Sequence, residues 1–202
     1  ADLTDFAYAL NISGGTIAAR SDSGDGFDSN GDLTISGGYV TVWTANAADN
    51  EPLDADGTVT VSGGTVLAAG GSSGMGMNLV ASQPCVIFSG AAEMPGGNIQ
   101  NGQPSGEERS SGNEQPNGGE RPDGEGQPAQ GGSPGGASLL TQDGTFTVAD
   151  SNGTALYTGE AVYNASFVFF SSGDLSEGES YTLSSGETQT ESVAQTGTVS
   201  AG

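Results

Sequence analysis

Asp28 and Asp54 occupy the same place in two copies of a short pattern, and Asp5 occupies it in a third. Each stands five residues before the aliphatic residue that opens Leu10-Asn11-Ile12-Ser13-Gly14-Gly15, Leu33-Thr34-Ile35-Ser36-Gly37-Gly38 or Val59-Thr60-Val61-Ser62-Gly63-Gly64. Asp2, Asp25 and Glu51 fall three residues earlier, and Asn30 and Asp56 share a third position. These residues are all oxygen donors. If the copies stack at the strand spacing of roughly 4.8 Å, carboxylate lies on carboxylate. Two unit charges at that distance repel by about 1 kcal/mol in water and by ~3–4 kcal/mol at an effective dielectric near 20. The chain has only 3 Lys+Arg and no His, so side-chain cations are scarce. A bound Ca2+ can supply the compensation, because several carboxylates on flexible loops suit calcium better than zinc or copper. The alternative is a set of solvated loop residues that repel weakly. An EF-hand is excluded. Asp28-Ser29-Asn30-Gly31-Asp32 opens like one, but Leu33 and Tyr39 stand where the loop needs Gly and Glu. The nonapeptide calcium repeat has the wrong period.

The elements that must position these carboxylates are short alternating strands. Leu10 to Leu33 is 23 residues and Leu33 to Val59 is 26, a period that reads as β-solenoid coils. Leu10/Leu33/Val59 and Ile12/Ile35/Val61 alternate with polar residues and are expected to face inward. Ile17/Val40/Val66 and Ala19/Val42/Ala68 do the same after the Gly-Gly pair, and Phe27 and Leu53 join them. The outward sets are Asn11/Ser13, Thr34/Ser36 and Thr60/Ser62, then Thr16/Ala18/Arg20, Tyr39/Thr41/Trp43 and Thr65/Leu67/Ala69. The Gly-Gly pairs turn the corner between the two faces.

Three segments follow. Residues 1–94 hold the coils and the acidic loops, and include a further apolar strand at Cys85-Val86-Ile87-Phe88. Residues 95–138 are rich in Gly, Pro, Gln and Glu, with Pro116, Pro122, Pro128 and Pro134 at six-residue steps. They lack the aliphatic residue a hexapeptide helix needs at each step, so they read as a disordered insertion or an extended loop. Residues 139–202 return to β, as the end that completes or caps the solenoid. Gly144–Ala149 turns at Asp150-Ser151-Asn152-Gly153 into Thr154–Tyr157, and Ser166–Ser172 and Ser180–Leu183 follow as strands. Phe146, Phe167, Phe169 and Phe170 are expected in the core.

Composition bounds the function. A hydrophobic share of 33% and 36 Gly in 202 residues suit a thin solenoid core. A net charge of −22 argues against nucleic acid and anionic membrane surfaces as partners. No apolar run approaches the ~20 residues of a membrane span, so membrane insertion is not expected. Cys85 is alone and offers no disulfide. The chain opens inside a repeat, as expected for a mature or trimmed product or a piece of a longer solenoid.

With these residues laid out, the chain resembles a known family. Asp25-Gly26-Phe27-Asp28-Ser29-Asn30-Gly31-Asp32-Leu33-Thr34-Ile35-Ser36-Gly37-Gly38 carries the resemblance. So do Leu53-Asp54-Ala55-Asp56-Gly57-Thr58-Val59-Thr60-Val61-Ser62-Gly63-Gly64, Gly71-Ser72-Ser73-Gly74-Met75, Phe169-Phe170-Ser171-Ser172 and Gly178-Glu179-Ser180-Tyr181-Thr182-Leu183. The family is that of bacterial carbohydrate-binding domains built as calcium-loaded right-handed parallel β-helices, the clostridial cell-surface type that binds polygalacturonate and cellulose. The resemblance implies an all-β right-handed parallel β-helix, a secreted or cell-surface location, and calcium-dependent, non-catalytic binding of polysaccharide.

On such a solenoid face Trp43 and Tyr39 can stack on sugar rings, with Thr41 between them, and Arg20 can pair with a uronate. Arg20 can instead lie over Trp43 or pair with Asp22. A pectin-degrading enzyme is a weaker reading. Lyase chemistry needs a base, and the chain has no Lys or His, with Arg20 the only cation outside residues 95–138. The carboxylates a hydrolase needs are here spread over repeat positions. A third reading is structural, a surface stalk or fibre subunit, because an open solenoid end invites end-to-end self-association.

Overall fold

The computed structural model describes residues 8–47, 50–71, 79–90 and 137–199. Residues 1–93 and 132–202 are grouped in one compact unit, and residues 94–131 lie outside the described residues. The expectation of disorder across 95–138 falls almost wholly there.

The repeats form strands where alternation and β-branched residues require them. They are β1 (Ala9–Ser21), β3 (Asp32–Thr44) and β5 (Val59–Gly70), with the short β2 (Phe27–Ser29) and β4 (Leu53–Ala55) between. β1, β3 and β5 run parallel. Leu10 is beside Leu33 and Leu33 beside Val59, and Ile17, Val40 and Val66 line up in the same way. β2 and β4 also pair in parallel, with Phe27 beside Leu53. The aliphatic residues of both halves of each long strand meet in one core with Phe27 and Leu53, so the strands bend around it. The bend is at the Gly-Gly pairs. Gly15, Gly38 and Gly64 have φ of +85°, +98° and +89°, which only glycine adopts without strain.

The β-helix does not continue. β6 (Leu79–Ser89) starts as the next parallel neighbour of β5, with Val59, Thr60 and Val61 beside Leu79, Val80 and Ala81. Beyond the bend the two strands part, and β9 (Phe167–Ser171) enters between them, antiparallel to both. β12 (Gln195–Val199) then pairs antiparallel with the outer edge of β6. The result is a mixed six-stranded sheet, β1-β3-β5-β9-β6-β12. The architecture is all-β, but it is neither a right-handed parallel β-helix nor any other solenoid, and no sheet closes. The physical reason lies in β9. All five of its residues are buried, and Phe167 and Phe169 face one core while Val168 and Phe170 face another. A strand apolar on both faces must sit inside a sheet, and no coil edge can take its place.

The rest of the C-terminal part does not cap a coil. β7 (Thr145–Asp150), β8 (Ala155–Glu160), β10 (Ser180–Ser185) and β11 (Thr188–Val193) form a separate antiparallel sheet, β11-β10-β7-β8. Its inner face carries Phe146, Val148, Tyr181 and Leu183. These pack with Trp43, Leu67, Ala69, Val86, Phe88 and Phe170 from the outer face of the first sheet. The second halves of β3, β5 and β6 are thus buried on both sides.

Candidate functional site

The acidic positions fall along one edge. Asp28 and Asp54 are direct partners in the parallel β2–β4 pair. The 26-residue offset runs through the adjoining loops: the Gly26 N–H donates to the Glu51 carbonyl at 2.8 Å and the Asp56 N–H to the Ser29 carbonyl at 2.9 Å. Asn30 follows Ser29, so it and Asp56 lie side by side, both exposed. The Asp25 carboxylate accepts the Glu51 N–H at 2.7 Å, which ties one loop to the next.

Burial raises the Asp54 carboxyl above its ordinary range, and the negative charges of Asp25, Asp28 and Asp56 push it further, against a backbone hydrogen bond from Ala55. The four carboxylates therefore share one field. They form a row rather than a cage. Among the described residues no three carboxylates converge closely enough to make a group that could hold a metal. Asp2 and Asp5 lie outside the described residues.

Sequence reasoning overlooked two polar groups that shape this edge. Asp32 accepts the Thr58 N–H at 2.9 Å, which fixes the entrance of β5. Asn50 is buried; its Oδ1 accepts the Gly24 N–H at 3.0 Å and its Nδ2 donates to the Ala45 carbonyl at 3.2 Å. The signal was present in both cases, since Asp32 and Thr58, like Gly24 and Asn50, share the 26-residue offset of the acids.

The face expected to stack on sugar is covered by the chain itself. Trp43 is 4% exposed and meets Phe146 edge-on at 5.9 Å, so it is a core residue and is not available to a glycan. Tyr39 stacks on Tyr157 at 6.4 Å and keeps 43% exposure. Thr41 is half-buried, and its hydroxyl donates to the Ile17 carbonyl at 3.5 Å. Arg20 is exposed and stands beside Trp43 in the strand register. Its charge acts on Tyr163, whose hydroxyl donates to Asp22; that hydrogen bond raises the Tyr163 phenol above its ordinary range. No continuous aromatic track joins Tyr39 to Arg20, because Trp43 and Thr41 belong to the interior or its border. Nothing in the sequence pairs Trp43 with Phe146, which is 103 positions away.

The other outward set is more open, with Asn11 exposed and Thr34 and Thr60 half-buried. Asn11, Thr34 and Thr60 lie side by side across β1, β3 and β5. Ser13, Ser36 and Ser62 are exposed beside them. Elsewhere, a cleft of about 210 Å³ between the β7–β8 turn and the β9–β10 loop is lined by Asp150, Asp174, Ser176, Glu179 and Tyr181. Asp150 there accepts the Asn152 and Thr154 N–H groups at 2.9 and 2.8 Å, and these bonds lower its carboxyl below the usual range. The Cys85 thiol is buried, and desolvation pushes it up to about 11, which disfavours the thiolate. Among the described residues no helix is long and apolar enough to cross a membrane. Against protein-family models, curated proteins and solved structures, the chain shows no match.

Proposed function

We propose that the chain is a non-catalytic, calcium-dependent polysaccharide-binding module of a secreted or cell-surface protein. The observation that carries this reading is the stack of Asp28 on Asp54 in a parallel pair, with Asp25 and Asp56 in the same field. A divalent ion on this row would take one or two of the stacked carboxylates, with carbonyls and waters completing its oxygen shell, and would offset their repulsion without a basic residue. Glycan contact belongs on the more open ladder of Asn11, Thr34 and Thr60 with the exposed Ser13, Ser36 and Ser62, in place of the covered Trp43 face. Flat rows of hydroxyl and amide groups offer a linear sugar polymer repeated hydrogen bonds. The edge of β1, which has no strand beside it among the described residues, favours a structural reading second.

A glycan array run with calcium and with chelator tests the proposal. Binding to acidic or plant cell-wall polysaccharides that disappears on chelation is the expected result. Calorimetry should register calcium uptake by the wild type and weaker uptake by Asp28→Asn. Absence of calcium heat, or release of sugar fragments from polygalacturonate, overturns it.

A further inference from the structure

The outer edge of β1 is built like an interior strand but has no neighbour there among the described residues. Ile12, Leu10, Ile17 and Ala19 belong to the same core as their equivalents in β3 and β5, yet the last three are only partly buried. The glycines make the same point. A Cβ on Gly37 would lie 2.7 Å from the Ser13 carbonyl oxygen, and one on Gly63 would lie 2.4 Å from that of Ser36. Glycine is required at both positions because the preceding strand is there. Gly14 holds the equivalent place in β1, has no positive φ, and a Cβ on it would meet nothing within 4 Å.

We propose that this edge pairs with the β1 edge of a second copy of the chain, forming a closed two-fold dimer with one sheet running through both subunits. Two copies that join this edge with their core faces on the same side of one continuous sheet meet antiparallel, about a two-fold axis perpendicular to the sheet. Placing that axis between Gly14 and Gly15 sets Leu10 opposite Ala19 of the other copy, Ile12 opposite Ile17, and Asn11 opposite Ala18. All four aliphatic residues then pair on the core face, and both strands bend the same way at the glycines.

Charge favours the same arrangement. The chain carries −22, yet Ala9–Ser21 contains one cation, Arg20, and no carboxylate. In this register Arg20 faces Ala9 of the other copy. Ala9 is itself beside Asp32, so Arg20 and that Asp32 share one row with only a methyl group between them. The opposite edge of the sheet is unsuited to a fibre. β12 has five residues, an irregular register and a Gly197 at φ +89°. The inference rests on the sheet alone and stands or falls independently of glycan and calcium.

Register-specific cross-linking tests it. On oxidation, the double variant Asn11→Cys with Ala18→Cys should give a covalent dimer, and neither single variant should. The wild type should sediment as a monomer–dimer equilibrium that tightens with added salt, as repulsion between two acidic copies is screened. Gly14→Ala should sediment as a monomer, and its melting temperature should match the wild type's at a concentration where the wild type is itself monomeric. Equal cross-linking by the single variants, a monomer at every concentration and salt, or open-ended oligomers would each overturn the proposal.

Discussion

Asp54 shows how one carboxyl reports on the whole acidic edge. Its pKa is raised in the folded protein, first by burial and then by Asp25, Asp28 and Asp56. The folded state therefore binds this proton more tightly than the unfolded chain does. In the window between the unfolded value near 3.9 and the raised folded value, stability falls as pH rises. In chelator, acidification into that window should raise the melting temperature, and Asp54→Asn should remove the effect. At neutral pH without calcium, Asp54→Asn should stabilise the protein by about 1 kcal/mol, the size of one like-charge contact at strand spacing. With calcium present it should weaken uptake instead. Thermal melts across pH, with and without chelator, check both signs. Trp43 carries the opposite lesson. An exposed sugar-stacking residue could be truncated at little cost, but this one is buried against Phe146. Trp43→Ala should cost about 3–5 kcal/mol in urea unfolding. The sequence made the acids legible because they recur in register. It left Trp43 ambiguous because alternation assigns a face but does not say what covers that face.

Strands and bends were legible for the same reason. The aliphatic positions of β1, β3 and β5 stack as their spacing requires, and the Gly-Gly pairs sit at the bend. The two glycines of a pair serve different purposes, and substitution separates them. A Cβ on Gly64, at φ +89°, would lie 2.6 Å from the Gly38 carbonyl oxygen, so Gly64→Ala should cost more than ~1 kcal/mol. Gly14→Ala meets nothing and should change monomer stability by less than ~0.5 kcal/mol. Chemical denaturation of both variants, at a concentration where the protein is monomeric, makes the comparison. β11 and β12 escaped notice because Thr188–Val193 and Gln195–Val199 are polar edge strands with little alternation. Their pairing partners, rather than their own residues, make them strands.

At the scale of the molecule the repeats mislead. Three parallel copies invite extension into a helix of coils, and local pattern holds no information against it. What stops the extension is β9, whose partners in β5 and β6 lie roughly 80 to 105 residues earlier in the chain. The apolar character of Ser166–Ser172 is visible in the sequence, but its destination is not, because a strand apolar on both faces fits any buried slot. The second sheet follows from the same closure. Once β9 is seated, the hairpins on either side of it fold over Trp43 and Leu67 and bury the outer face.

The position of β9 also sets an order of events at birth. During synthesis, β5 and β6 emerge long before the strand that joins their second halves. At ~5–20 residues per second the slot between them stays open for on the order of ten seconds. Throughout that time Leu67, Ala68, Val86 and Ile87 border an unfilled gap, and the nascent repeats hold sheet edges that any passing strand can occupy. The native strand must win that competition by closing a long loop, a slow step for a non-local pairing. The sequence between β6 and β7 has no long apolar run to compete for the slot, and the apolar residues of β7 alternate with polar ones, so β9 is the first of the later strands to arrive apolar on both faces.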